Sequence, residues 1–331
     1  MNALKKIALG VALAGALFVV GGLLLPRTVE VERSIVIDAP RATVFTVLNG
    51  FRQFGKWSPW AGIDPNATTT LSGPAVGVGA KLSWSGNADV GTGTQEITEA
   101  VPYERIVLRL GFGDFPGTFG ARYQLADEGS GTRVTWVFEG DYGGSIVGRW
   151  FGLFVDGMVG SDYEKGLARL KGLVEQLPKG DFSGLEVVAI ETTADPIVQL
   201  SVRSLDNPNA IGVALGVAYS RLSGYMSVAG LKQTAAPIAF FRAAEQGTLT
   251  LDAAIPVDRD DAAPTGQVRM ARLPAGPALR AEYQGAYAGL AGARAQLVAY
   301  LAAAGIEPAG PTWEQYVSEG VTHLYVPVRA L

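Results

Sequence analysis

Residues 29–37 read Val-Glu-Val-Glu-Arg-Ser-Ile-Val-Ile, and the triplet Asp38-Ala39-Pro40 follows directly. The first stretch is rich in β-branched residues and alternates along its length, which is typical of a strand with one buried face. The triplet supplies a turn and a helix start. Apolar residues at helical spacing between positions 41 and 48 predict that helix, and Trp57-Ser58-Pro59-Trp60 ends the helical region with a proline break.

From about residue 68 to residue 140 the sequence changes to short alternating runs separated by glycine, which predicts an antiparallel sheet with hairpin turns. The predicted strands are 81–84, 94–97, 106–110, 118–125 and 132–138. Leu167, Leu170 and Val174 then fall on one stripe of a helix that is predicted to begin near Ser161 and to end before Pro178. The predicted order is strand, helices, meander and long helix.

This order resembles the helix-grip fold of the START-like, polyketide-cyclase and lipid-transport superfamily (SRPBCC). The likeness rests on residues 34–40, on residues 57–60 and on the helical residues 160–171, and it covers a predicted domain at 29–178. The resemblance implies a curved sheet that wraps a long C-terminal helix and leaves an apolar cavity for a lipid-sized or polyketide-sized ligand. Trp57 and Trp60 are candidates to line it, although large aromatic residues in such a fold more often fill the core.

The composition excludes several classes of function. The chain has 331 residues, which predicts two domains, and it has no cysteine and a single histidine, His323. Disulfides, thiolate metal sites and cysteine nucleophiles are therefore excluded, and a serine–histidine hydrolase or a paired-histidine metal site is disfavoured. The net charge of −4 argues against binding to nucleic acid. We predict no cofactor and no metal.

The first residues predict a membrane anchor. Lys5 and Lys6 precede an uncharged run of 19 residues from Ile7 to Leu25, which is just long enough to span a bilayer core. The small residues 14–16 lie inside this run, so an uncleaved anchor at 1–28 is favoured over a signal peptide, and a buried soluble helix is the third interpretation. The two lysines predict a single-pass protein of the bacterial inner membrane with its soluble domains on the periplasmic side.

A linker at 179–184, rich in glycine and charged residues, precedes a second predicted domain at 185–331 that contains an internal repeat. For example, Leu222 and Tyr225 recur at an offset of 75 residues as Leu297 and Tyr300. Each copy is predicted to form a strand, a helix and two strands. Two such copies make a pseudo-two-fold α+β domain with the helices on one side of a shared sheet and a cleft between the halves.

This half resembles the GyrI-like, or AraC-type effector-binding, domain of small-molecule-binding proteins. The likeness rests on residues 283–287, residues 305–311, and Trp313-Glu314-Gln315-Tyr316 with the strand after it. Gly285-Ala286-Tyr287 departs by one residue from the more usual Gly-Pro-Tyr. The resemblance implies a cleft that accepts diverse lipophilic cations, with the matching Glu314 as its central polar contact.

Strand alternation places Glu314 and Tyr316 on one face and Trp313 on the other. A lone glutamate in a strand is usually a surface residue, but this aromatic context favours a pocket. A carboxylate among tyrosine rings favours cations, because ring faces and the ionised acid both attract positive charge. The candidate ligand-binding residues are Glu314, Trp313, Tyr316, Tyr283, Tyr287, Trp57 and Trp60.

Three functions fit these patterns. The leading hypothesis is non-catalytic binding or sequestration of an amphiphilic, aromatic or cationic small molecule by a membrane-anchored protein. The second is a hydrolase of electrophilic small molecules, with Glu314 as general acid or base and Tyr316 as proton donor. The third is a membrane-tethered sensor that acts through a protein partner, which the sequence leaves unknown. His323 is predicted to be structural, and the acidic residues 258–261 lack the spacing of a calcium loop.

Overall fold

The computed structural model describes residues 3–113, 115, 117–245 and 247–329, with the side chains of residues 3, 4 and 243–245 excepted. The chain divides into two compact units, and the boundary between them falls after Lys179. Each unit has its own antiparallel sheet. The predicted α+β fold class, with an apolar helix at the N-terminus, is confirmed.

Helix α1 (Ala3–Leu24) opens the first unit. Its residues Lys5–Leu24 are long and apolar enough to cross a membrane by length and composition, and a signal sequence near an N-terminus has the same properties.

The first unit contains seven strands and three further helices. The strands are β1 (Thr28–Ile37), β2 (Thr68–Ser72), β3 (Lys81–Ser85), β4 (Thr92–Val101), β5 (Arg105–Phe112), β6 (Thr118–Glu128) and β7 (Gly131–Asp141), and the helices are α2 (Arg41–Leu48), α3 (Phe54–Trp57) and α4 (Ile146–Val174). The strands follow the order β1-β7-β6-β5-β4-β3-β2, and α4 packs against β1. This arrangement is the predicted helix grip.

The core of this unit lies between the sheet and the second half of α4. Val31 and Ile37 of β1 point into it, and so do Leu167 and Leu170, which belong to the predicted helical stripe. The helix itself begins at Ile146 rather than near Ser161, and the side chain of Ser145 caps it by accepting a hydrogen bond from the backbone N–H of Gly148 at 3.0 Å. The predicted start was wrong because the first turns of α4 lack a single buried stripe.

The second unit contains eight strands and two helices. The strands are β8 (Val187–Thr192), β9 (Pro196–Leu205), β10 (Ile238–Glu245), β11 (Thr248–Pro256), β12 (Arg269–Arg272), β13 (Gly276–Gln284), β14 (Trp313–Ser318) and β15 (Val321–Pro327), and the helices are α5 (Pro208–Ala229) and α6 (Leu290–Ala304). Tyr287–Gly289 forms a 3-10 turn before α6. The strand order is β12-β9-β11-β10-β14-β15-β13-β8.

The six central strands of this sheet have the symmetry that the repeat predicts. The triplets β9-β11-β10 and β14-β15-β13 mirror each other about the β10–β14 pair, which we call the seam. In the register of the seam, Glu314 lies opposite Ala239 and Trp313 lies opposite Phe240. The edge strands β8 and β12 were not predicted.

Candidate functional site

The carboxyl group of Glu314 lies at the seam on the face of the sheet that carries the helices. Glu314 is 2% exposed. Helix α6 contributes Arg294, which forms an ion pair with it, and α5 contributes Tyr219, whose ring lies 6.5 Å from that of Tyr316. The duplicated halves therefore place one helix each beside the same carboxylate.

Both carboxylate oxygens of Glu314 accept a hydrogen bond. The guanidinium Nε of Arg294 donates to Oε1, and the hydroxyl of Tyr316 donates to Oε2 at 2.9 Å. The two partners of the ion pair differ in exposure, since the Arg294 side chain is 31% exposed and the Glu314 side chain 3%. The negative charge of Glu314 is thus compensated by Arg294, which is the more solvent-exposed partner of the pair.

Sequence analysis missed Arg294. Its guanidinium carbon lies 4.1 Å from the centroid of the Phe241 ring, which is a cation–π distance. Arg294 therefore lies beside a carboxylate and an aromatic face. The sequence predicted a cationic ligand at this position. The available signal was that Arg294 is the one charged residue in the sequence of α6.

Tyrosines form the rest of the surroundings of Glu314. The ring of Tyr287 lies 6.1 Å from that of Tyr316, and its buried hydroxyl lies near Tyr316 and Arg294 without a well-formed hydrogen bond to either. The hydroxyl of Tyr219, which was not among the candidates, donates to the carbonyl oxygen of Ile238 at 2.8 Å. Burial, and then the nearby charge of Glu314, raises the pKa of the Tyr316 and Tyr287 hydroxyls, so both phenols stay protonated at neutral pH.

The remaining candidates of this domain lie elsewhere. The half-buried Tyr283 closes a local turn, because its hydroxyl donates to the carbonyl oxygen of Ala286 at 2.9 Å. Trp313 is on the other face of β14, as the alternation predicts, and it stacks on Tyr325 with a centroid distance of 5.0 Å. Both rings line a groove of about 520 Å³, which is also lined by Glu191, Asp195 and Asp258. The candidate set is therefore divided between two faces.

In the first unit, Trp57 and Trp60 belong to a cluster of aromatic rings. Trp57 is 2% exposed, and its ring lies 5.5 Å from that of Trp136, which in turn stacks on Tyr163 at 3.6 Å. Trp60 is 37% exposed, and its indole N–H donates to Asp162 at 3.1 Å. These rings fill much of the space between the sheet and α4.

The indole N–H groups of Trp57 and Trp136 are buried and have no hydrogen-bond partner. A buried donor without an acceptor costs about 1–3 kcal/mol, so its persistence requires an explanation such as a bound water or ligand. Both donors lie in the same ring cluster.

Among the described residues, no group of three or more His, Asp or Glu side chains could hold a metal ion. His323 lies 3.3 Å from the carboxylate of Glu282 and next to the ring of Tyr325, which suits a structural residue.

Residues 28–175 match the family described as polyketide cyclase / dehydrase and lipid transport. The match covers 148 of the 331 residues. The polyketide cyclase-type domain thus coincides with the helix grip, whose fold is suited to binding small molecules. A search of curated proteins finds no match.

Three solved structures illustrate the similarity. A protein from Chromobacterium violaceum is 22% identical, with 46% of this chain and 99% of that chain covered and a TM-score of 0.34. The di-domain ARO/CYC StfQ from the steffimycin biosynthetic pathway is 10% identical, with 45% and 51% covered and a TM-score of 0.35. EcmrR in a DNA complex is 14% identical, with 56% and 72% covered and a TM-score of 0.40.

Proposed function

We propose that this protein is a membrane-anchored binding protein for amphiphilic small molecules and that the seam site holds an aromatic cation by Glu314 without a catalytic step. The length and composition of α1 support the anchor, and the polyketide cyclase-type domain supports small-molecule binding. One observation carries the proposal: the buried carboxylate of Glu314 lies among tyrosines, and its counter-ion is the partly exposed Arg294.

The unequal burial of the ion pair makes exchange of the cation feasible. A buried charge that loses its partner is costly, whereas a long side chain near the surface can turn its charged end into water. Glu314 is too deeply buried to reach solvent, but Arg294 is not. A lipophilic cation entering from the side of Arg294 would therefore replace the guanidinium, pair with Glu314 and contact the rings of Tyr287 and Tyr316.

The hydrogen bonds of the site favour binding over hydrolysis. A general acid works best when its pKa lies near the operating pH. The hydroxyl of Tyr316 already donates to Glu314, and burial holds the pKa of that hydroxyl far above neutrality. Both oxygens of Glu314 already accept hydrogen bonds, from Arg294 and from Tyr316, which suits a binding group.

The test is to identify the small molecules that accompany the full-length protein through purification, by extraction and mass spectrometry. We expect an aromatic amine or quaternary cation with the wild type and its loss in Glu314→Gln. Glu319→Gln is the matched control, because it makes the same charge change at an exposed position of the same hairpin. Equal recovery of the cation from Glu314→Gln and the wild type would contradict the proposal.

A second ligand site in the polyketide cyclase-type domain is supported by the unpaired indole donors of Trp57 and Trp136. Indole N–H groups donate only, so they need a ligand that carries acceptors. The surrounding rings offer apolar and stacking contacts. We therefore propose a flat, neutral ligand with carbonyl oxygens for this domain.

A further inference from the structure

The first turns of α4 expose a stripe of large apolar side chains. Val147, Phe151, Phe154 and Met158 are 67%, 39%, 66% and 56% exposed. Their spacing of four, three and four residues places them on one face of the helix. Phe115, which is 43% exposed, extends this face because its ring lies 5.6 Å from that of Phe151. We call these five residues the α4 patch; a contiguous apolar surface of this kind usually marks a binding partner or a membrane.

Trp150, also in the first turns of α4, packs against the end of α1. The indole N–H of Trp150 donates to the carbonyl oxygen of Phe18 at 3.0 Å, and the two rings stack with centroids 5.5 Å apart. Glycines in α1 make this approach possible. A Cβ on Gly21 would lie 2.7 Å from the Trp150 ring, and one on Gly22 would lie 2.5 Å from Ile146.

This packing fixes the depth of the patch if α1 spans a membrane, as the proposed function holds. Phe18 lies six residues before the end of α1 at Leu24, which corresponds to about 9 Å along the helix axis. The contact between Trp150 and Phe18 therefore places the start of α4 level with the last turns of the span. Val147, Phe151 and Phe154 lie within about one helical turn of Trp150, so they lie close to that depth.

The polar groups near the patch suit this placement. Arg149 is the only charged residue between Ile146 and Val155, and its guanidinium donates to the carbonyl oxygens of Leu23 and Gly143, both at 3.2 Å. The guanidinium thereby supplies a hydrogen-bond donor to a carbonyl group at the end of α1 instead of facing lipid. The first exposed carboxylate is Asp156, which pairs with Arg33 at 3.1 Å. Charge thus reappears on α4 only after Val155.

We infer that the α4 patch is inserted into the membrane leaflet in which α1 ends, so that the occupant of this surface is lipid. The same helix then runs from the bilayer into the interior of the polyketide cyclase-type domain, where Tyr163 and Leu167 are buried. An amphiphile could enter or leave the domain along α4 without crossing water. This inference depends on the proposed membrane anchoring.

Single-cysteine labelling tests the inference in the full-length protein, which has no native cysteine. Three exposed leucine or phenylalanine positions are compared: Phe154→Cys in the patch, Leu17→Cys in α1, and Leu71→Cys on β2, where the native side chains are 66%, 70% and 48% exposed. Each is labelled with nitrobenzoxadiazole and reconstituted in phosphatidylcholine–phosphatidylglycerol vesicles. Brominated lipids then quench labels that lie in the bilayer.

We expect strong quenching at positions 154 and 17 and none at position 71. If the label at position 17 is quenched but the label at position 154 is not, the inference is overturned and the anchor stands. The absence of quenching at both 17 and 154 would refute the anchor and the inference together. If the label at position 154 is shielded from water but is not quenched by brominated lipid, a second copy of the protein covers the patch. That result would also overturn the inference.

A second variant tests the step that fixes the depth. Gly22→Leu would force Ile146 and Trp150 away from α1, so quenching at 154 should fall while quenching at 17 stays. Unchanged quenching at 154 would refute the role of the contact between α1 and α4.

Discussion

Replacing Arg294 by methionine removes the counter-ion of Glu314 and keeps most of the volume of the side chain. The carboxylate, whose side chain is 3% exposed, then retains only the hydrogen bond from Tyr316. We expect the distal domain of the Arg294→Met variant to fold but to be less stable at β14. Arg294→Lys, which keeps the positive charge but lacks the Nε donor that contacts Oε1, should lie between this variant and the wild type.

The magnitude follows from the burial of the pair. Breaking a buried ion pair by removing one partner costs about 3–5 kcal/mol. The Arg294 side chain is 31% exposed, so solvent already screens part of the interaction and the lower limit applies. A loss of about 3 kcal/mol corresponds to a roughly 150-fold increase in the population of open forms.

Hydrogen–deuterium exchange of peptides that cover β14 measures this opening in the distal domain alone. Arg294→Met should exchange about a hundredfold faster there than the wild type, provided that exchange follows the opening equilibrium. Tetraphenylphosphonium should restore the protection, because the added cation supplies the missing charge. Wild-type exchange rates in Arg294→Met, or no protection by the cation, would refute the argument that Glu314 requires a positive partner.

Other consequences can be measured separately. Tyr316→Phe removes a donor to a charged acceptor and should lower the free energy of unfolding of the distal domain by about 1.5–3 kcal/mol in urea. Tyr219→Phe removes a donor to a backbone carbonyl and should lower it by about 1 kcal/mol. Equal losses would contradict the charged character of the hydrogen bond between Tyr316 and Glu314. Burial raises the pKa of the Tyr316 and Tyr219 hydroxyls, so the folded state holds these protons more tightly than the unfolded state. The free energy of unfolding should therefore be constant below about pH 10 and fall above it. Reversible ionisation of all eleven tyrosines near pH 10, seen at 295 nm with the fold intact, would contradict the raised pKa values. A neutral anthraquinone should shift the indole N–H resonances of Trp57 and Trp136 but not that of Trp84, which already donates to Val90; unchanged resonances would argue against a ligand site in the polyketide cyclase-type domain.

The elements that the sequence predicted well are those with a strong local pattern. Alternation along β14 correctly separated Glu314 and Tyr316 from Trp313, because side chains of a strand point alternately to its two faces. The repeat predicted the strands and helices of each half, because each copy carries its own apolar periodicity. The mirrored strand order of the sheet then follows from the duplication.

The features that the sequence did not predict depend on tertiary partners. Arg294 lies far from Glu314 along the chain, and only the packing of α6 on the sheet brings the two together. The start of α4 was missed because its apolar residues face α1 on one side and are exposed on another, so that no single buried stripe marks the helix. Edge strand β2 is exposed throughout and lacks the alternation that reveals a half-buried strand.

Equilibrium dialysis of tetraphenylphosphonium against the full-length protein in detergent tests the role of Glu314 most directly. The wild type must displace Arg294 to bind the cation, so Arg294→Met should bind about tenfold or more tightly than the wild type, and Glu314→Gln about tenfold or more weakly. Glu319→Gln, which shares the same detergent background, should match the wild type. Affinities that are equal in Glu314→Gln, Arg294→Met and the wild type would show that the buried carboxylate does not hold a cationic ligand.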